Sequence, residues 1–511
     1  MNARVLRVVA AFSVALLAFA APSVAVRGQS AVSIVQPAVG GDAWTPDEVS
    51  KLSADLDALL SNSAALRGAH VGVLALDTRT GAPLYARGAD DLLQAASSTK
   101  LIVGSAALDK LGPAFRFRTT ALLDDMGTLV LRGGGDPFLD EAAFASLASA
   151  VAATGVRALP RGIAVDDSAF DRVPYPDGWT VDDVPYDYSA PVSALNFDEN
   201  TVHLTVAPGA AVGLPVHIDL GGRPVQTALT TCAPTADVVV ISSARTGAAG
   251  TKSTLDLERD TGGCIRVVGA IAAGGKAETL DAAVPNAPVF ASRALARALR
   301  AKGIVVGEPP TNGDFSYVRR YVPHGAAALR PIWSHDSASL AEFLGPQFWV
   351  PSDNLVAELL LKSVGLHAPG TPGSSAKGIV SEVAWLTAFG VDAAAVSLFD
   401  GSGLSRYDRV TPRALVSVLQ HDWTGAYRQV VLDSLPVGGA RGTIPGIAGT
   451  PAAGRVFAKT GSFMHVRGLA GYLATQRHGA VTFAFIVDDW NGADAPLGAL
   501  RASVLSRIID D

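Results

Sequence analysis

Cysteine, lysine and charge are all scarce in this sequence. Only two of its 511 residues are cysteine, Cys232 and Cys264, and neither sits in a Cys-x-x-Cys motif. That gives no redox motif and excludes a small fold stapled by many disulfides, which a chain able to bury a large core does not need. Nine histidines form no His-Glu-x-x-His or similar ligand spacing, so no metal site is expected. Charged residues make up 17%, where about 25% is usual, and 49% of the chain is hydrophobic, which excludes a disordered or acidic-tail protein. A formal charge of −6 argues against nucleic acid as a partner. Beyond the N-terminus no apolar run approaches the ~18 residues that would span a bilayer. Lysine occurs only nine times, so a motif built on lysine is informative.

The N-terminus carries an address. Arg4 and Arg7 precede residues 8–21, apolar except for Ser13, and Ser23-Val24-Ala25 is a small-x-small cleavage signal. Residues 1–25 therefore read as a secretory signal peptide; the alternative is an uncleaved anchor, which would be the chain's only membrane contact. An exported chain meets oxidising conditions, where Cys232 and Cys264 can pair; the alternative is two buried free thiols.

Thr45-Pro46-Asp47-Glu48 is a capping box with proline at the first helical position, opening a helix to about residue 62. Residues 70–76 and 83–86, joined by Asp77-Thr78-Arg79-Thr80-Gly81, read as a β-hairpin. A helix over 101–111 ends at Gly112-Pro113. Residues 116–284 change character, with short β-rich runs at 128–131, 202–206, 238–241 and 265–268. They read as one or two small inserted domains. A helix follows at 289–301, and helices dominate to about residue 420. Strands at 455–460, 468–474 and 481–487 precede a final helix over 495–509. The fold class is α+β: an antiparallel sheet drawn from both ends of the chain and covered by helices.

Three short motifs carry chemistry. Ser97-Ser98-Thr99-Lys100 is Ser-x-x-Lys at a helix start, with Ser97 and Lys100 one turn apart on one face. A serine hydroxyl needs a base to become a nucleophile, and a desolvated lysine can be that base. Ser374-Ser375-Ala376-Lys377 also fits, but lies in a Gly/Pro/Ser-rich stretch and reads as structural. Ser352-Asp353-Asn354, the only Ser-x-Asn, precedes an apolar helix and is also compatible with an ordinary N-cap. Lys459-Thr460-Gly461-Ser462, holding the only Lys-[Ser/Thr]-Gly, ends a strand. Lysine and hydroxyls there suit a substrate carboxylate, and glycine allows close backbone approach; a plain strand-end turn is the alternative.

Taken in this order, Ser-x-x-Lys, Ser-Asp-Asn and Lys-Thr-Gly resemble the signature set of penicillin-binding proteins and serine β-lactamases. Ser97 and Ser352 stand 255 residues apart, which leaves room for an inserted domain. The chain thus is similar to the type-4 class C penicillin-binding proteins, the D-alanyl-D-alanine carboxypeptidase/endopeptidase family. Gly134-Gly135-Asp136-Pro137, Leu195 to Asn200, Asp400 to Arg406, Val410-Thr411-Pro412 and Gly449 to Arg455 add to the resemblance. It implies a penicillin-binding, β-lactamase-like transpeptidase domain over 26–115 and 285–511. That domain is interrupted by an inserted domain over 116–199 and 265–284 and a further one over 200–264.

The resemblance further implies a serine D-Ala-D-Ala carboxypeptidase, with DD-endopeptidase action as an addition, exported to the periplasm or extracytoplasmic envelope. Its partners would be peptidoglycan stem peptides ending in D-Ala-D-Ala and β-lactam antibiotics, and it would need no cofactor. Ser97 would be nucleophile and Lys100 base. Ser352 would relay a proton, Asn354 would position Lys100 and the substrate amide, and Lys459 would keep the site cationic. Thr460 and Ser462 would bind the substrate carboxylate, beside Gly461, with the N–H groups of Ser97 and Ser462 as oxyanion hole. A β-lactamase or esterase on the same scaffold and a non-catalytic cell-wall binding protein are the rivals. Asp136 is read in two ways: as a turn residue before Pro137, or as a contact for a cationic substrate side chain.

Overall fold

The computed structural model describes residues 32–221, 238–259, 263–307, 320–321, 329–370, 372–442, 444 and 446–510. The expected signal peptide, 1–25, and Cys232 lie outside these residues. Cys264 is buried and disulfide-bonded.

Segments rich in β-branched and aromatic residues at the two ends of the chain build one five-stranded sheet. Its order is Val456–Phe463, Val466–Ala474, Ala480–Asp488, His70–Asp77, Pro83–Arg87, with every neighbour antiparallel. The first and last parts of the chain meet where His70–Asp77 runs along Ala480–Asp488, from His70 opposite Asp488 to Asp77 opposite Val481. Period-2 alternation sends Phe483 and Phe485 to one face and Ala484 and Ile486 to the other. The first face packs on the helices Pro46–Ser61 and Asp494–Asp510 through Leu52, Leu56, Val504 and Leu505. The Thr45–Glu48 capping box opens the earlier of these helices. The second face packs on Lys100–Leu111, Asn354–His367 and Pro412–Thr424 through Leu101, Val103, Leu359 and Leu415.

At Arg118 the chain enters a second unit. Its four-stranded sheet has the order Arg330–Asp336, Arg118–Leu123, Leu129–Arg132, Ile163–Asp166. Smaller sheets follow, including Glu278–Ala283 with Thr201–Ala207 and His217–Asp219. Two features differ from the sequence expectation. The helix Ala287–Ala301 and the strand Arg330–Asp336 do not join the catalytic core, whose return was expected at 285. The helix Ala287–Ala301 buries Phe290, Ala294, Leu295 and Leu299 in the inserted core, and Arg330–Asp336 pairs with Arg118–Leu123. Outgoing and returning strands are thus neighbours, and Leu340 is where the chain re-enters the catalytic core. The helix Glu141–Ala153, capped by Asp140, also stands in a region expected to be β-rich. Within the insertion a continuous apolar cluster joins Phe144 and Phe197 to Leu204, Val240 and Val267, so the described part of 200–264 shares its core with the rest.

Candidate active site

Ser97 sits half-buried on the single 3-10 turn Ala96–Thr99, which leads directly into Lys100–Leu111. Ala96, just before it, is held at φ 47°, a strained conformation for a residue with a Cβ. Glycines let the surroundings press on this turn. A Cβ at Gly461 would stand 2.1 Å from Ala95 O and 3.0 Å from Ser97 N, and one at Gly403 would stand 2.1 Å from Ala96 O. Gly461→Ala is accordingly expected to cost about 1–3 kcal/mol and to displace the turn. Thermal unfolding and the penicillin acylation rate would both fall; unchanged values for both would refute the close approach.

The second motif follows a π-helical turn, Leu344–Trp349, whose Trp349 indole N–H donates to Lys100 O at 3.1 Å. Ser352 is held at φ 67°, and Asp353 caps the helix Asn354–His367 by accepting from Val356 N–H at 2.7 Å. This cap fixes Asn354 at the first position of the helix. Asn354 Oδ1 accepts from Lys100 Nζ at 2.5 Å, while its Nδ2 donates to Tyr188 O, from the insertion, at 2.7 Å.

The third motif lies on an edge strand, Val456–Phe463. Near its start the outer side is occupied, with Ala458 N–H donating to Pro436 O. By alternation the N–H groups of Thr460 and Ser462 point the same way, along the side beside the Ser97 turn. Lys459 Nζ donates to Ser352 Oγ and to Thr460 O, both at 2.8 Å.

The structure therefore brings these five motif residues together as two neighbouring hydrogen-bonded groups, Lys100 with Ser97 and Asn354, and Lys459 with Ser352. Lys100 Nζ lies 2.8 Å from Ser97 Oγ and 2.8 Å from Ser402 O. Burial lowers the Lys100 pKa to about 8, with the nearby Asp400 as the largest opposing influence. Burial, joined by the charge of Lys100, also holds Lys459 well below the usual lysine range. Two amines so placed favour a neutral base beside Ser97 near pH 8.

Other sequence candidates fall elsewhere. Ser374 caps the helix Ser375–Ala388 by accepting from Lys377 N–H, and Lys377 Nζ donates to Gly370 O and Pro372 O. Asp136 is 0% exposed. Its Oδ1 accepts from Phe138 N–H, its Oδ2 faces His335 Nε2 at 3.7 Å, and burial raises its pKa to about 7. A carboxyl so enclosed holds the turn before Pro137 and is closed to a substrate side chain. Asp136→Asn is expected to leave relative rates on charged and neutral stem peptides within about twofold, since the group makes no exposed contact. A changed preference would reopen the substrate reading.

Residue types alone did not show the groups that act through their backbone. Ser402 and Tyr188 enter the site by carbonyl oxygens, which carry no side-chain signal. Asp400 organises the Ser402 turn from within, accepting from Gly403 N–H, Ser405 N–H, Ser402 Oγ–H and the Trp179 indole. Its place in the stretch Asp400 to Arg406 was the available hint.

The D-Ala-D-Ala carboxypeptidase 3 (S13) family matches the chain over residues 52–505. The chain is 34% identical over 483 residues to a D-alanyl-D-alanine carboxypeptidase of Actinomadura sp. (strain R39), covering 90% of this chain and 85% of that one. It is 25% identical over 449 residues to the D-alanyl-D-alanine carboxypeptidase DacB of Haemophilus influenzae, covering 86% and 89%. In fold it is similar to the crystal structure of penicillin binding protein 4 from Haemophilus influenzae. That likeness has a TM-score of 0.76 at 23% identity and covers 90% of this chain and 99% of the other.

Proposed function

The chain belongs to the D-Ala-D-Ala carboxypeptidase 3 (S13) family, and from that premise we propose that it is a serine D-alanyl-D-alanine carboxypeptidase acting through an acyl-enzyme on Ser97. The observation that carries this reading is the direct contact of Lys100 Nζ with Ser97 Oγ, 2.8 Å apart in a buried site. Lys100 takes the hydroxyl proton as Ser97 Oγ bonds to the carbonyl carbon between two terminal D-alanines. The oxyanion is met by the N–H groups of Ser97 and Ser462; each such donor typically stabilises the transition state by about 3 kcal/mol. Collapse breaks the C–N bond, and the leaving amine receives a proton through the Ser352 hydroxyl, which Lys459 holds. Thr460 and Ser462, with Lys459, receive the substrate carboxylate at the strand end, while Gly461 lets the peptide backbone approach. Water then hydrolyses the ester and frees Ser97.

A β-lactam follows the same first step: its ring amide opens onto Ser97, and the tethered leaving group hinders the second. Peptidoglycan stem peptides ending in D-Ala-D-Ala are the substrates, and the cell envelope is the place of action. DD-endopeptidase action on cross-links uses the same acylation. Incubation of the purified protein with muropeptides, followed by separate measurement of released D-alanine and cleaved cross-links, tests the proposal. Release of D-alanine supports it; penicillin hydrolysed rapidly with no D-alanine released would favour a β-lactamase instead.

A further inference from the structure

Lys100 is held more fully than the three sequence motifs require. Its Nζ has three partners: Ser97 Oγ, Asn354 Oδ1 and Ser402 O. A neutral amine carries two N–H bonds and one lone pair. If the two pure acceptors, Asn354 Oδ1 and Ser402 O, take the N–H bonds, the lone pair is left facing the Ser97 hydroxyl proton. Acylation thus depends on where the Ser402 carbonyl points.

That carbonyl is aimed by a residue outside the motifs. Glu358 is 0% exposed, and its Oε1 accepts from Gly401 N–H at 3.0 Å and Ser402 N–H at 2.9 Å. Its Oε2 has no hydrogen-bond partner among the described residues. Glu358 stands four residues after Asn354, so one helix face supplies one acceptor to Lys100 directly and the other through Glu358. We propose that Glu358 is a positioning residue for the acylation step, orienting the Lys100 lone pair toward Ser97 by fixing the Gly401–Ser402 backbone. Burial, with Asp400 nearby, raises the Glu358 pKa to about 8, so near neutral pH it is chiefly the protonated acid. Glutamine reproduces that form: an acceptor oxygen where Oε1 lies and a neutral donor where Oε2 lies. Aspartate keeps the acidic group but draws it back by one methylene from the two N–H groups.

The inference rests on the carboxypeptidase reading, and its test separates the two. Acylation by a fluorescent penicillin, with mass spectrometry of the adduct, is measured alongside kcat and KM on a D-Ala-D-Ala peptide. Glu358→Ala is expected to lower the acylation rate and kcat about 10- to 100-fold, as misplacement of a reacting group does, with KM within about threefold. Glu358→Gln is expected to remain within about threefold of wild type, and Glu358→Asp to fall clearly below Gln, because reach to the two N–H groups decides. Wild-type kcat in the Ala variant, a loss confined to KM, or Asp equal to or better than Gln would overturn the inference. Should the Ala variant not fold, the Gln and Asp pair decides alone. A wild-type protein that is not labelled on Ser97 would overturn the carboxypeptidase reading itself, and this inference with it.

Discussion

Ser97→Ala is expected to abolish covalent labelling by penicillin and to lower D-alanine release by about 10^4-fold or more, while the protein stays folded. The size of the effect follows from the role: without Oγ there is no atom to carry the acyl group, and only oxyanion stabilisation and binding remain. The fold should survive because Ser97 is only half-buried and its Oγ meets Lys100, which keeps Asn354 Oδ1 and Ser402 O as partners. Intact-mass and peptide mass spectrometry of the penicillin adduct, with thermal unfolding in parallel, check both halves. An adduct on Ser374, or labelling that persists in Ser97→Ala, would refute the assignment. Ser374→Ala makes the control: it removes a helix cap, costing about 1 kcal/mol, and should leave labelling intact.

Lys100→Met is expected to lower the acylation rate by about 10^2- to 10^4-fold, the usual worth of a positioned general base. Methionine retains much of the chain length in the buried slot, so the loss would report the amine rather than a cavity. The same residue sets a pH dependence. A base acts in its unprotonated form, so wild-type acylation should climb with pH and level off above about 8, where Lys100 loses its proton. In Lys100→Met that ascending limb should disappear. A wild-type profile flat from pH 6 to about 9 would remove Lys100 from the role of base. The linkage has a definite sign in stability too. Between about 8 and the ordinary 10.5 the unfolded chain binds a proton at Lys100 that the folded chain does not. This group therefore makes the folded state more stable as pH rises through that window.

Much of the catalytic unit was legible in the sequence because its signals are local. The Thr45–Glu48 box, the hairpin after His70 and the three C-terminal strands follow from capping chemistry and alternation, and all appear within a few residues of the expected bounds. The three motifs were legible because side-chain type matters at each. The rest depends on pairings with no local signature. Arg118 meets Asp336 across the second sheet, so the expected return at 285 rested only on prolines. Glu358 lies inside an otherwise apolar helical stretch, and neither its neighbours nor its spacing reveal that it holds a loop some 40 residues later. Asp136 shows the opposite fault, a motif-like carboxylate whose burial takes it out of reach.

The pairing of His70–Asp77 with Ala480–Asp488 also sets the order in which the protein can become active. Contacts made across about 400 residues of chain carry a high loop-closure cost and form late. Ser97 is synthesised well before Gly461, which lies against its turn, and before the strand Ala480–Asp488 that joins the two parts of the sheet. A growing or partly threaded chain carries its nucleophile without the edge strand beside it. Synthesis of the strands from Val456 to Asp488 is therefore the arming step, and the chain is expected to be inert as a hydrolase until they are present.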